Sequence, residues 1–378
     1  MIKAYNNTWV TNLYIRETAA GWVSKNLLTT EQEAQIQKAF PEHFYRPGIF
    51  VTIGLFFFAS IACSFFAGFL SLFFLDGFSD GAFGIFSIIC AIAFLAALEF
   101  VIRDRKLFHS GIDNALLYAA VGAVISSFFL IIEGERPWLY CFLSLFILVP
   151  ALLRYADLLL AAVTYFTAAA LIALILTESA LGKALLPFAF MIFSFLSYML
   201  VSRSTSIYYH KCQQILEVLS LATLYLAGNY FVVREGNALL NDLPASTQVA
   251  FAYLFYFFTA AIPIAYICLG LKKYNRVLFV TGLLALGASI VTYRTYFLQL
   301  TISQELTLAG TFLIIVAVLA IRYLKNPKKG ISDEPEAKRK FAYLEAIVAA
   351  EVLGQAPQEN GIQFGEGNFG GGGAGEAY

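Results

Sequence analysis

The chain has 378 residues, of which 60% are apolar and only 13% charged, and its mean hydropathy is +0.73. That composition excludes an ordinary soluble globular protein, and a formal net charge of zero gives no reason to expect nucleic-acid binding. The five cysteines (Cys63, Cys90, Cys141, Cys212 and Cys268) lie in or beside apolar runs without a C-x-x-C pair, so they read as small apolar residues.

Residues 1–47 are polar and helix-like. They lack the short apolar core and small-residue cleavage site of a signal peptide, so the first apolar run is expected to insert and stay. A helix over 8–25 should be followed by a turn at Lys25-Asn26-Leu27-Leu28, where Asn26 suits a left-handed helix-ending position. Thr30 and Glu33 match a capping box for a second helix, which Pro41 ends near Phe40. Leu27, Leu28, Ile36 and Phe40 packing on Trp22 and Val23 would complete a cytoplasmic helical hairpin. Gly21-Trp22-Val23 and Leu27-Leu28-Thr29-Thr30-Glu31-Gln32, leading into a multi-span region, resemble a family of uncharacterised bacterial multi-pass membrane proteins. Its members carry a short N-terminal helical domain of unknown function. The resemblance covers the N-terminal region only, the family often has Gly where Asn26 stands, and it implies no activity, cofactor or site.

A bilayer core of roughly 30 Å needs about 20 apolar residues per helix. Ten stretches qualify: 48–75, 81–102, 113–132, 137–153, 156–176, 184–202, 212–233, 248–271, 275–297 and 306–324. The fourth is the shortest. Apolar positions run continuously instead of alternating, which excludes a membrane β-barrel. Apart from Arg294, Lys and Arg divide 21 to three between the N-terminal, even-to-odd and C-terminal segments on one side and the remaining loops on the other. The positive-inside rule then places both termini in the cytoplasm of a bacterial inner membrane. The fold expected is therefore an all-α polytopic helix bundle with about ten transmembrane helices over 48–324.

Ionisable groups in spans are candidate sites, because a charge at the bilayer centre costs roughly 2.5–3.5 kcal/mol on insertion scales. Glu99 lies near the inner end of its span with Arg103 four residues on, an arrangement that favours a helical ion pair. Glu217 has no base at i+3 or i+4 and is expected to face the bundle interior. Asp157 opens the fifth span, and Arg294 lies near the outer end of the ninth, where it can snorkel outward. Pro263 should kink the eighth span and free the carbonyl of Thr259. Histidines 43, 109 and 210 all fall on the cytoplasmic side without metal-ligand spacing, and no catalytic motif, metal or cofactor site is evident. Small residues repeat every fourth position at Ser60, Ser64 and Gly68 and at Ala119, Ala123 and Ser127, a pattern that lets helices approach closely.

Beyond the last span, Asn326-Pro327-Lys328-Lys329-Gly330 breaks the chain, and Ser332 can cap an amphipathic cytoplasmic helix within 325–354. Residues 355–378 are Gly-rich and are expected to stay disordered, as a linker or as a recognition tag. No midplane charge points to ion-coupled transport. The functions left are binding or transporting an apolar or amphipathic small molecule, or serving as a non-catalytic envelope scaffold. Expected partners are membrane lipids and a protein at the N-terminal hairpin or C-terminal tail; enzymatic chemistry is not expected.

Overall fold

The structure is a computed structural model that describes residues 3–25, 27–72, 80–132, 134, 136–297 and scattered positions between Ser303 and Arg322. Residues 1–300 form one compact unit and 301–378 a second. In the second, the described positions are helical; most of the expected span 306–324, the helix within 325–354 and the tail 355–378 lie outside the described residues.

Among the described residues of the first unit there are twelve α-helices: α1 (Asn7–Val23), α2 (Thr30–Ala39), α3 (Ile49–Ser71), α4 (Asp80–Arg105), α5 (Ile112–Ile131), α6 (Pro137–Tyr155), α7 (Leu158–Thr177), α8 (Ala180–Arg203), α9 (His210–Gly228), α10 (Tyr230–Leu240), α11 (Ala252–Lys273) and α12 (Arg276–Phe297). Among the described residues there is no strand, only a backbone bridge between Tyr45 and Leu107. Among the described residues, eight helices are long and apolar enough to cross a membrane, and the bent pair α9–α10 supplies a ninth crossing if counted as one. The short stretch at 137–153 is among the eight.

Short links make sequence neighbours antiparallel. Ala156 and Asp157 alone join α6 to α7, and Tyr274 and Asn275 join α11 to α12. Ala156 and Tyr274 take left-handed backbone angles (φ 48° and 53°), which reverse the chain at once. The pairs α4–α5, α6–α7, α8–α9 and α11–α12 are the main contacts, and α3 packs chiefly on α5. Because the helices are apolar all round, side chains such as Phe65 and Leu200 remain exposed on the outside, as lipid-facing surfaces require.

The seventh expected span, 212–233, is not a single helix. The chain breaks at Asn229, and α10 leaves α9 at 76°. Asn229 opens the new helix by accepting the N–H of Val232 at 3.2 Å. The Tyr230 N–H goes instead to Thr259 Oγ1 at 2.9 Å. Asn229 also donates to Tyr225 Oη (2.7 Å) and Thr292 Oγ1 (2.9 Å), and Tyr225 Oη meets Ser289 Oγ at 3.0 Å. Apolar patterning hid this break, because the polar residues that satisfy it come from α11 and α12.

The N-terminal segment carries two helices, α1 and α2. The capping box is Thr29 with Gln32, not Thr30 with Glu33: Gln32 N–H reaches Thr29 Oγ1 at 3.2 Å, and Thr29 N–H reaches Gln32 Oε1 at 2.9 Å. Asn26 lies outside the described residues. Trp22 and Leu27 stay exposed (48% and 68%) instead of packing inside the hairpin. The reason is that α1 turns Val10, Leu13 and Ala19 inward, while α2 buries no residue. Tyr5 and Val10 share one core cluster with Leu98, Leu117, Tyr155 and Leu160 of the bundle. Residues on both sides of position 47 thus contribute to one core cluster.

The small-residue rows differ in use. Ser87 Oγ of α4 reaches the Ala123 carbonyl of α5 at 2.8 Å, so the second row brings backbones together. Along Ser60, Ser64 and Gly68 a Cβ added at Gly68 would meet no atom within 4 Å, so that face touches no described helix there.

Candidate functional site

All four even-to-odd connections converge on the end of the bundle where the N-terminal segment docks. The Ala4 N–H reaches the Arg154 carbonyl at 3.0 Å, and the Tyr45 N–H reaches the Lys106 carbonyl at 3.0 Å. Tyr208 and Tyr209, in the turn before α9, donate to the carbonyls of Arg154 (2.6 Å) and Leu153 (2.7 Å). Asn275, between α11 and α12, donates to Glu217 Oε1 of α9 at 2.6 Å. These connections carry the basic residues of the sequence count, so this is the basic end.

Two aspartates lie buried beneath the docked segment, Asp113 at 1% and Asp157 at 2% exposure. The tight loop from α4 to α5 places the first. Its Lys106 and His109 adopt positive φ, and Gly111 (φ 100°) approaches α3 so closely that a Cβ would lie 2.2 Å from the Thr52 carbonyl oxygen. Only glycine fits there. The loop then wraps Asp113, which accepts from His109 N–H (2.8 Å), Ser110 N–H (2.8 Å), Ser110 Oγ (3.0 Å) and Tyr5 Oη (2.9 Å). Asp157 caps α7 by accepting Leu160 N–H at 2.9 Å, and takes Asn114 Nδ2 (2.8 Å) and Tyr118 Oη (3.0 Å) from α5. Both carboxylates sit at helix starts, where backbone N–H groups and the helix dipole favour negative charge.

His109 stands between them, its Nδ1 3.8 Å from Asp157 Oδ2. Burial holds the imidazole below its ordinary range, against the opposing pull of Asp113 and Asp157. Burial and the neighbouring Asp113 likewise raise Tyr5 well above a free phenol, so it stays protonated and donates.

His109 also lines two cavities, which leave 29% of its side chain accessible. One, of about 300 Å³, lies under the N-terminal segment among Tyr5, Tyr14, Tyr208 and His210. The other, of about 740 Å³, is a groove between α3, α5 and α7. Asn114, Tyr118 and Asp157 are its polar floor, Arg46 and Lys211 are its cations, and Ile53, Phe57, Leu158 and Leu159 are apolar. A third cavity of about 220 Å³ lies among α8, α10 and α11 and is lined mostly by apolar side chains.

The expected site residues separate. Asp157 joins the cluster just described. Glu99 pairs with Arg154 (Nη2 to Oε2, 2.7 Å; Nε to Oε1, 2.9 Å) and accepts from Tyr155 Oη, rather than taking Arg103 as its main partner. Arg154 reaches Glu99 from the last turn of α6 and sets two N–H groups on its two oxygens, a bidentate fork. Glu217 is half-buried and turned to Asn275. Thr259 and Pro263 are buried in the polar knot below the α9–α10 break, where Ser289 Oγ donates at 2.6 Å to the carbonyl that Pro263 leaves free. Arg294 is exposed in the last turn of α12. None of the three cavities is lined by Glu217 or Pro263.

Sequence reasoning missed Asp113, Asn114, Tyr118, Tyr5 and Lys211. The one available signal was Ser110-Gly111 followed by Asp113, a turn opening a helix. Convergence with Asp157 needed the tertiary fold. Among the described residues, no three His, Cys, Asp or Glu side chains group as metal ligands. The fold and its apolar helices define a multi-pass α-helical membrane protein. No protein-family model, curated protein or solved structure matches the chain. The resemblance of residues 21–32 rests on those residues alone.

Proposed function

We propose that this membrane protein binds an amphipathic small molecule at the basic end of the bundle, and that exchange of this molecule with the bilayer is its activity. The observation that carries the reading is the groove between α3, α5 and α7. It sets Asn114, Tyr118 and two cations against a wall of Phe and Leu side chains, within the volume range of small-molecule sites. The positive-inside count supports a bacterial inner membrane with this end facing the cytoplasm.

A long-chain probe with a diazirine in its tail tests the reading on purified full-length protein. Photolabel should concentrate on Ile53, Phe57, Leu158 and Leu159. Label spread equally over lipid-facing positions of α8, such as Ile192 and Leu200, would overturn it.

The second reading, a partner-binding scaffold, is favoured by one feature. Helix α2 buries no residue, and Trp22 and Leu27 beside it are exposed. A protein partner captured through the N-terminal hairpin in cells, and lost on Trp22→Ala with Leu27→Ala, would favour it over the first.

A further inference from the structure

From the charges around the groove we infer the class of its ligand: a single-chain amphiphile with an anionic head group, a carboxylate or a phosphate monoester, seated against Lys211. This rests on the amphiphile-binding reading and specifies it.

The groove is open on the side an acyl chain would use. Helices α3 and α7 both wall it, yet α3 packs on α5 and α4, not along α7. Phe57 on one side and Leu158 and Leu159 on the other are 61%, 42% and 49% exposed, so the gap between the two helices faces the hydrocarbon. A tail can therefore stay in lipid while the head reaches the floor.

At the floor, most charge is already committed. Asp157, the carboxylate that lines the groove, already has Asn114, Tyr118 and the start of α7. Arg46 is held by Glu17 at 2.7 Å. Lys211 makes no ion pair among the described residues, and it lines both the groove and the adjoining cavity under the N-terminal segment. His109, Phe108 and Ala156 line both spaces as well. A cation without a counter-ion, beside an apolar cleft, complements an amphiphile with an acidic head. A cationic head would meet Lys211 and Arg46 at the rim and would find Asp157 occupied by donors.

Isothermal titration of the full chain in non-ionic detergent tests this with dodecanoate, dodecyl phosphate and dodecyltrimethylammonium. The two anions should bind at least about tenfold more tightly than the ammonium, a preference that Lys211→Ala abolishes and Lys211→Arg retains. Tighter binding of the phosphate than of the carboxylate identifies a phosphorylated lipid as the source; the reverse identifies a fatty acid. Equal binding of all three heads, or a preference that survives Lys211→Ala, overturns the inference while leaving amphiphile binding intact if the groove is still photolabelled. No groove labelling by any probe overturns both.

Discussion

His109 shows how one residue ties stability to pH. In the folded protein burial holds its pKa below the ordinary value of about 6.5, so the folded state prefers the neutral ring. As pH falls, the unfolded chain takes up this proton first and stability drops. The loss begins near the unfolded value and is complete below the lowered folded one. The thermal midpoint of detergent-solubilised protein should therefore decline as pH falls below about 6.5, and His109→Asn should flatten that decline. An unchanged slope in the variant would assign the titration elsewhere. Tyr5 matters at the same scale for a different reason. Its hydroxyl completes the shell of a buried carboxylate more than a hundred residues away in sequence, and so fastens the N-terminus to the bundle.

Among the helices, the break between α9 and α10 is the least expected feature. An interrupted helix inside a bilayer is tolerated only where other groups satisfy the freed backbone. Here Thr259, on the continuous helix α11 in which Pro263 removes one backbone hydrogen bond, takes the Tyr230 N–H, and Ser289 covers the carbonyl left free by the proline. The break and the lost hydrogen bond are thus solved by one set of side chains. Asn229→Leu removes the cap of α10 and the bonds to Tyr225 and Thr292, and should cost about 1–3 kcal/mol. Thr295→Ala is the comparison: Thr295 is exposed and bonds only its own helix, at Val291. Equal thermal midpoints for the two variants would show that the knot contributes no stability.

For the whole molecule, the alternation of loops is the property to test. The basic connections gather at one end through the contacts of Ala4, Tyr45, Tyr208 and Asn275. At the other end Lys183, at the start of α8, reaches the Leu240 carbonyl at 3.0 Å, so α10 finishes there and α11 starts its return. Counting α9–α10 as one crossing keeps every later helix in the expected direction. Reporter fusions after Lys106, Arg154, Lys211 and Lys273 should read cytoplasmic, and fusions after Asp80, Glu135 and Asp242 periplasmic. A fusion after Asp242 that read cytoplasmic would mean that α9–α10 turns back without crossing.

The class of the molecule was legible in the sequence, because bilayer thickness sets a length for apolar runs and insertion leaves its charge bias in the loops. Composition and local spacing are enough to express both constraints. Asp157 stood out for a related local reason, as a charge opening an apolar helix. Its partners were not legible. Asn114 and Tyr118 look like ordinary interruptions of α5, Asp113 like a routine first-turn acid, and Tyr5 like part of a polar leader. Glu99 shows the same limit: sequence spacing offered Arg103, while Arg154 at the end of α6 provided the fork. A polar group in an apolar bundle must find a partner, but which one depends on which helices lie side by side, and apolar surfaces that are alike all round do not encode that locally. The sequence by itself thus determined that the chain is a bundle of apolar helices long enough to cross a bilayer. Only the tertiary structure decided where its buried charges meet and where a groove is left open.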